Sequence, residues 1–347
     1  KSSPQNQFIQ KSRANLVGEN RVLLFQDWGM PEKQAEWDSI FQNIYIDLPA
    51  VPFAVIESSN IFNDVEFQNK FNQAILKEME LQGIAGAALA IVTSNNKHNY
   101  IATYGYSDLE ADLPATNNTL FLWEGASMAI TAVAAMQLVE SGNLNLDADI
   151  RELVPEIPEQ ISTITLRHLL SHKSGLMRNA AGPDALGKKT WNAPPPYEDV
   201  IEALNYFKYS DLEHTPGEDI NVSNLGYVLA SAVIQRASNK PYVEQVLKSI
   251  ARPLEMSTLQ PDYLWTERTG RSKDYTKPKA IIREAPAQDL SWQIGSRGWL
   301  SNITDFSKFA MLKKMGEFMM NMDTYSADFY LYNEFNQNEE PEKYLRI

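Results

Sequence analysis

The chain has no cysteine and only four histidines in 347 residues. The first absence excludes disulfides, thiolate nucleophiles, iron–sulfur clusters and cysteine zinc sites together, and the second leaves little imidazole for a metal centre. Long apolar runs are also missing. The best stretches, Ile84 to Val92 and Val228 to Val233, fall well short of the ~20 apolar residues that a spanning helix needs, so the expectation is a soluble chain with no transmembrane segment. Cations are in the minority, 31 Lys and Arg against 44 Asp and Glu, a net charge of −13. That balance argues against a nucleic-acid surface, which depends on clustered cations. The opening Lys1-Ser2-Ser3-Pro4 lacks both Met and an apolar leader core, so a targeting segment is expected to be removed or never included.

What is present is ordinary globular material, 44% hydrophobic and 22% charged, enough for one large core or two smaller ones. The first sixty residues are polar and Asn/Gln-rich, with isolated aromatics (Phe25, Trp28, Trp37, Phe41) and no sustained period. They read as an N-terminal extension, residues 1–60, draped over a body or a partner. From Asp64 to Gln82, Val65, Phe71, Ile75 and Met79 recur at helical spacing, and Gly83 is the stop. Ile84 to Thr93, a polar turn, and Tyr100 to Tyr106 predict a buried β-hairpin. Helices are predicted at Ser127 to Ser141 before Gly142, Thr165 to His172 before Gly175, Glu198 to Phe207, Asn224 to Ala237 and Pro241 to Ser249. The pattern predicts an α+β fold with an inserted helical subdomain. Three N-x-S/T sequons, at Asn117, Asn221 and Asn302, read as chance in so Asn-rich a chain.

The stretches "FLWEGASMAITAVAAMQLVESGNLNL" from Phe121 and "ITLRHLLSHKSGL" from Ile164 resemble the serine β-lactamase-like superfamily of class C β-lactamases, DD-peptidases and related esterases. "HTPGEDINVSNLGYVLASAVIQRAS" from His214 and "GSRGWLSNITDFSKFA" from Gly295 look like its later blocks in the same order. The wording from Asn224 to Phe309 is similar to the mitochondrial serine β-lactamase-like proteins and their bacterial relatives. The resemblance implies the β-lactamase/transpeptidase-like, or penicillin-binding-protein-like, fold: a helix-flanked antiparallel sheet plus a mostly helical subdomain. It implies one domain at 61–347, with an α/β lobe from 61–116 and about 292–347 and a helical lobe at about 117–291. Mitochondrial and extracytoplasmic locations are both compatible with it.

The family's chemistry needs a serine at a helix N-terminus and a lysine three residues later, on one helical face, so that the amine can take the hydroxyl proton. Counting back from Met136 to Glu140, these positions fall on Gly125 and Met128, which offer neither an oxygen nor a basic nitrogen. Ser127 is the nearest hydroxyl, but its i+3 partner is Ile130, and it reads as a helix-start or packing serine. The family's Tyr-x-Asn triplet is Val222-Ser223-Asn224 here, so the tyrosine is gone and the amide remains. Tyr227 reads as a packing residue. Ser296 and Arg297 sit where relatives carry a glycine run at the pocket rim; Arg297 either grips an anion or fills a closed pocket. After Met315 neither Lys-Thr-Gly nor His-x-Gly occurs, and only Phe329 to Phe335 reads as a strand, so the closing strands and terminal helix are expected to be shortened, replaced or absent.

Three other constellations are weighed against structural readings. His168 and His172 stand at i, i+4, a spacing for a metal or for scaffold packing. Asp147, Asp149, Glu152 and Glu156 are either paired acid/base carboxylates or a solvated loop. Met315, Met319, Met320 and Met322 read as adaptable apolar contacts in the core or on a partner. The expectation is a pseudoenzyme without metal or cofactor, retaining a vestigial pocket of Gly125, Ser127, Met128, Val222, Asn224, Ser296 and Arg297. Its role would be binding a protein partner, self-assembly as a subunit, or holding a small molecule in that pocket. The alternative is a serine hydrolase, an esterase, amidase or peptidase, using an unorthodox nucleophile such as Ser127, Ser223 or Ser296.

Overall fold

Asp64 and Gly83 bracket the first long helix by opposite devices. In the computed structural model, which describes residues 21–23, 45–47, 51–59, 63–92, 99–159, 161–178, 197–276 and 282–310, helix α1 runs Val65–Gln82. The Asp64 carboxylate accepts from the Phe67 amide at its start, and Gly83 takes φ +71° at its end. The described residues fall into two units, one within 1–120 and 268–287 and the other within 121–267 and 288–347.

In the first unit, β1 (Arg21–Leu23) and β2 (Tyr45–Asp47) pair antiparallel. A separate sheet has the order β3 (Phe53–Ser58), β5 (Asn99–Asp108), β4 (Gly86–Val92), with β6 (Leu113–Pro114) also pairing with β5. The sequence counts residues 53–58 with the N-terminal extension, whereas they form a strand of this sheet, a bulge between Val55 and Glu57 letting six residues follow β5. Tyr100, Ala102 and Tyr104 alternate onto one face of β5 and are fully buried with Met79, against Phe71, Ile75 and Leu76 of α1. One polar group serves this interface. The buried Asn72 carbonyl accepts both the Tyr100 hydroxyl at 2.6 Å and the Tyr104 hydroxyl at 2.7 Å. Gly105, at φ +71°, is required where β5 meets Ala85: a Cβ there would lie 2.3 Å from the Ala85 carbonyl oxygen.

The sequence assigns 268–287 to the helical lobe, but these residues cluster with the first unit. Leu120 donates to Gly270 O and Ser272 to Leu120 O, and Lys273 bridges Asp108 and Glu284 at 3.3 and 2.9 Å. β9 (Tyr275–Thr276) and β10 (Arg283–Glu284) pair beside them.

The second unit is mainly helical. It holds α2 (Ser127–Glu140), α3 (Leu166–Leu170), α4 (Val200–Ala203), α5 (Asn224–Ser238), α6 (Tyr242–Val246) and α7 (Ile303–Ala310). α5 is buried without a break from Asn224 to Ile234, as expected of a helix apolar on every side at the centre of a core. Fully buried alanines on both helices (Ala134, Ala135, Ala230, Ala232) let α2 pack closely on it. A three-stranded antiparallel sheet has β11 (Trp299–Ser301) between β7 (Phe121–Leu122) and β8 (Gln260–Pro261). The late residues 288–310, from 292 on assigned by sequence to the α/β lobe, thus pack in this second unit. The region after Met315, with its methionines and the strand predicted at Phe329 to Phe335, lies outside the described residues. No helix among the described residues is long and apolar enough to cross a membrane.

Candidate functional site

The approach to α2 is fixed before the helix begins. The Trp123 amide donates to the Trp299 carbonyl at 2.8 Å, and its indole donates to the Ser301 hydroxyl at 2.9 Å. One tight turn, Glu124–Ala126, follows, and Glu124 adopts φ +47°, a left-handed conformation that few residues other than glycine accept. Gly125 is half-buried in this turn. Ser127 opens α2 with no exposed surface, and its hydroxyl accepts the Trp299 amide at 3.3 Å. Met128 is 2% exposed and belongs to the main apolar core.

The second group is held by other partners. Val222 is half-buried, and Ser223 caps α5, its hydroxyl accepting from Gly226 at 2.9 Å and donating to Met177 O at 2.8 Å. The Ser223 amide donates to His172 Nδ1 at 3.2 Å, and the Asn224 amide to Arg178 O at 2.8 Å. Tyr227 is buried and donates to Leu170 O at 2.9 Å, a packing role.

The third group is the segment 295–298. The Tyr242 hydroxyl lies 2.6 Å from Thr131 Oγ1, which donates to Gly295 O at 2.5 Å, while the Trp299 indole donates to the Tyr242 oxygen at 3.4 Å. Burial pushes the Tyr242 hydroxyl up to about 12. A Cβ on Gly295 would meet Tyr227 O at 2.6 Å, so only glycine fits. Ser296 is fully buried and donates to Gln293 O at 3.2 Å. Arg297 grips both oxygens of Glu124, Nε at 2.5 Å and Nη2 at 2.9 Å, with Nη1 3.4 Å from Gln293 Oε1. The first and third groups are therefore joined, Arg297 to the residue beside Gly125 and Trp299 to Ser127. Sequence reading did not nominate Glu124. It is adjacent to the expected nucleophile position, but nothing local signals a partner 173 residues away.

The alternative constellations resolve into structure. α3 ends at Leu170 and His172 takes φ +56°, so His168 and His172 do not share a continuous helical face. His168 Nδ1 instead accepts the Thr165 amide at 3.4 Å in a reciprocal cap. Among the described residues, no group of three or more His, Cys, Asp or Glu could hold a metal ion. Asp147 is paired with Arg167 at 2.7 and 3.0 Å and Asp149 with Arg151, and these arginines hold both carboxyls below the usual range. Glu156 pairs with Arg236. Asp147 and Asp149, so held, are poor proton acceptors near neutral pH. Of the sequons, Asn302 is buried and its side-chain oxygen accepts the Asp305 amide, which suits a helix cap and not a glycan.

His172 gives a pH prediction. Burial lowers its pKa from 6.5 to about 4, so between those values the unfolded state binds the extra proton. The neutral ring's contribution is complete above pH 6.5 and is lost as pH falls toward 4, by about 3 kcal/mol in total. Urea unfolding at pH 7 and pH 4.5 is expected to show this loss. His172→Asn, which tolerates the left-handed backbone and keeps an acceptor for Ser223, should flatten it; an unchanged pH slope in the variant would assign the loss elsewhere.

A family model described as Beta-lactamase matches residues 71–342. The chain belongs to the beta-lactamase family. The resemblance carried by the blocks from Phe121 to Phe309 is thereby borne out, together with the β-lactamase/penicillin-binding-protein-like α+β fold. "Protein flp" of Staphylococcus aureus (strain N315) is 30% identical over 233 residues, covering 63% of this chain and 45% of flp. "Serine beta-lactamase-like protein LACTB, mitochondrial" of Mus musculus is 26% identical over 289 residues, covering 63% of this chain and 52% of that protein. The chain thus spans about half the length of these beta-lactamase relatives. Among solved structures, the octameric penicillin-binding protein homologue from Pyrococcus abyssi has a TM-score of 0.58 at 26% identity, over 71% of this chain and 56% of that one. FmtA from Staphylococcus aureus has a TM-score of 0.60 at 18% identity, over 74% and 68%, a likeness of fold alone.

Proposed function

We propose that this chain is a catalytically silent member of the beta-lactamase family that acts by binding or assembly. The observation that carries the reading is chemical. The positions at which counting along the family wording places nucleophile, base and tyrosine hold Gly125, Met128 and Val222, and the nearby serines are sealed. Ser127, Ser223 and Ser296 are each fully buried, and each hydroxyl is engaged with the backbone at 3.3, 2.8 and 3.2 Å respectively. A nucleophilic serine needs an accessible oxygen that gives its proton to a base: none of the three is accessible, and the ring beside Ser223, His172, accepts the backbone amide while the hydroxyl donates to Met177 O. The same burial disfavours the alternative of a hydrolase with an unorthodox serine.

An acyl-serine probe such as a fluorophosphonate should leave the native protein unlabelled, with labelling read by intact mass. Stoichiometric modification of any one serine, lost when that serine becomes alanine, would overturn the silent reading. Self-assembly is the form of the role with a precedent among relatives, since the Pyrococcus homologue is described as octameric. Native mass measurement tests it, and a monomer across the micromolar range would leave binding of another partner as the remaining role.

A further inference from the structure

The two halves of the Glu124–Arg297 pair are held very differently. Arg297 is presented by a fixed backbone: Gly295 O is bonded to Thr131, the Gly298 carbonyl accepts from Asp262 at 2.8 Å, and Trp299 beyond it is fully buried. Its side chain is 24% exposed. Glu124 sits in a single tight turn at φ +47°, and its side chain is 47% exposed, so it can leave for water with little desolvation or repacking. The arginine is the fixed receptor, and the glutamate the strained, movable partner.

We propose that Arg297 is a receptor for the carboxylate of a small acid or a peptide C-terminus, and that Glu124 occupies it as a built-in competitor. The assignment rests on the silent reading in one respect: the site binds its ligand and does not turn it over. Nε and Nη2 present two parallel donors, spaced for the two oxygens of one planar carboxylate, the geometry Glu124 itself uses. Gln293, near Nη1, keeps the guanidinium plane oriented after Glu124 departs. A displaced Glu124 stays nearby as a negative charge, which penalises a phosphate dianion more than a monocarboxylate. Gly125, next in the chain, has no side chain to occupy the space beside the exchange.

Titration with sodium acetate at constant ionic strength tests the proposal, followed by NMR of the Gln293 side-chain amide, with inorganic phosphate as the second probe. Wild type should give a weak saturable shift. Glu124→Gln should bind acetate about tenfold more tightly, as expected if Glu124 holds the arginine nine-tenths of the time. Glu124→Gly, which suits the left-handed backbone, serves as a second variant should Gln disturb the turn. Arg297→Ala should abolish the shift. No saturable response in either Glu124 variant while both remain folded would make the pair a structural clamp and overturn the proposal, and phosphate binding to the wild-type protein as tightly as acetate would overturn the carboxylate assignment. These outcomes are independent of serine labelling: labelling without acetate binding strikes the silent reading as well, whereas its absence leaves that reading standing.

Discussion

Met128→Lys is expected to cost about 4 to 5 kcal/mol of stability at pH 7, as urea unfolding would measure it. The position that would carry the family's general base is 2% exposed and lies in the apolar core of the helical unit. An ammonium there must lose its hydration, and at that depth it sheds its proton instead. Deprotonating a group of solution pKa ~10.4 at pH 7 costs about 1.36 kcal/mol for each of ~3.4 pH units. The sign gives a signature. The lysine pKa is depressed in the folded state, so the unfolded state binds more protons between the two values and stability rises with pH. The penalty should therefore shrink steadily toward pH 10, whereas Met128→Leu, conserving volume, should cost under ~1.5 kcal/mol at any pH. A lysine variant as stable as the leucine variant at pH 7 would mean that the surroundings still solvate a cation, and the silent reading would lose its physical basis. On the silent reading proposed above, methionine at this position would concern packing as well as chemistry, because Met128 lies within the core.

Local chemistry made much of the fold legible. Asp64 and Gly83 mark the ends of α1 because an acceptor side chain and a residue free to take positive φ are each needed at one end only. The β4–β5 hairpin follows from a nearly unbroken small-apolar run, a polar turn and a stretch rich in aromatic and β-branched residues, and the family wording gives the order of the helical blocks. Features set by distant partners were not legible. Nothing in the sequence singles out Asn72, yet it is buried, with two tyrosines from β5 converging on its carbonyl. His168 and His172 have metal-ligand spacing only if the helix continues, and His172 breaks it with a left-handed backbone that the sequence does not announce. At the site, the expectation that Gly125, Met128 and Val222 stand at the reactive positions comes from counting along the family wording, and the silent reading proposed above rests on it. The burial of Ser127 and Ser223 was not legible, because Ser127 meets the Trp299 amide and Ser223 the Met177 carbonyl, both distant in sequence; the Ser296 hydroxyl bonds locally to Gln293 O, but its burial is set by the fold.

Trp299→Ala is expected to remove about 3 to 5 kcal/mol and to lower the melting temperature by roughly 10 °C. Its ring has no exposed surface and packs at an angle on Tyr242, with centroids 6.1 Å apart, at the centre of the sheet that joins β7 to β8. Alanine would leave a cavity next to the buried Tyr242 hydroxyl and remove the indole hydrogen bond. Trp299→Phe should lose only about 1 to 2 kcal/mol, since it fills most of the space and the 3.4 Å indole contact is long. The effect should reach the site because the same strand supplies its scaffold. The Trp299 amide is held by Ser127, its carbonyl holds Trp123, and Arg297 lies two residues upstream. Loosening β11 should release the Glu124–Arg297 pair, detectable as faster solvent exchange of the Arg297 Nε proton under conditions where the protein is still folded. An alanine variant within 1 kcal/mol of wild type, with that proton still protected, would show that α2 and the 295–298 segment hold the pair without the strand, and Gly295 with its Thr131 bond would then be the anchor to test.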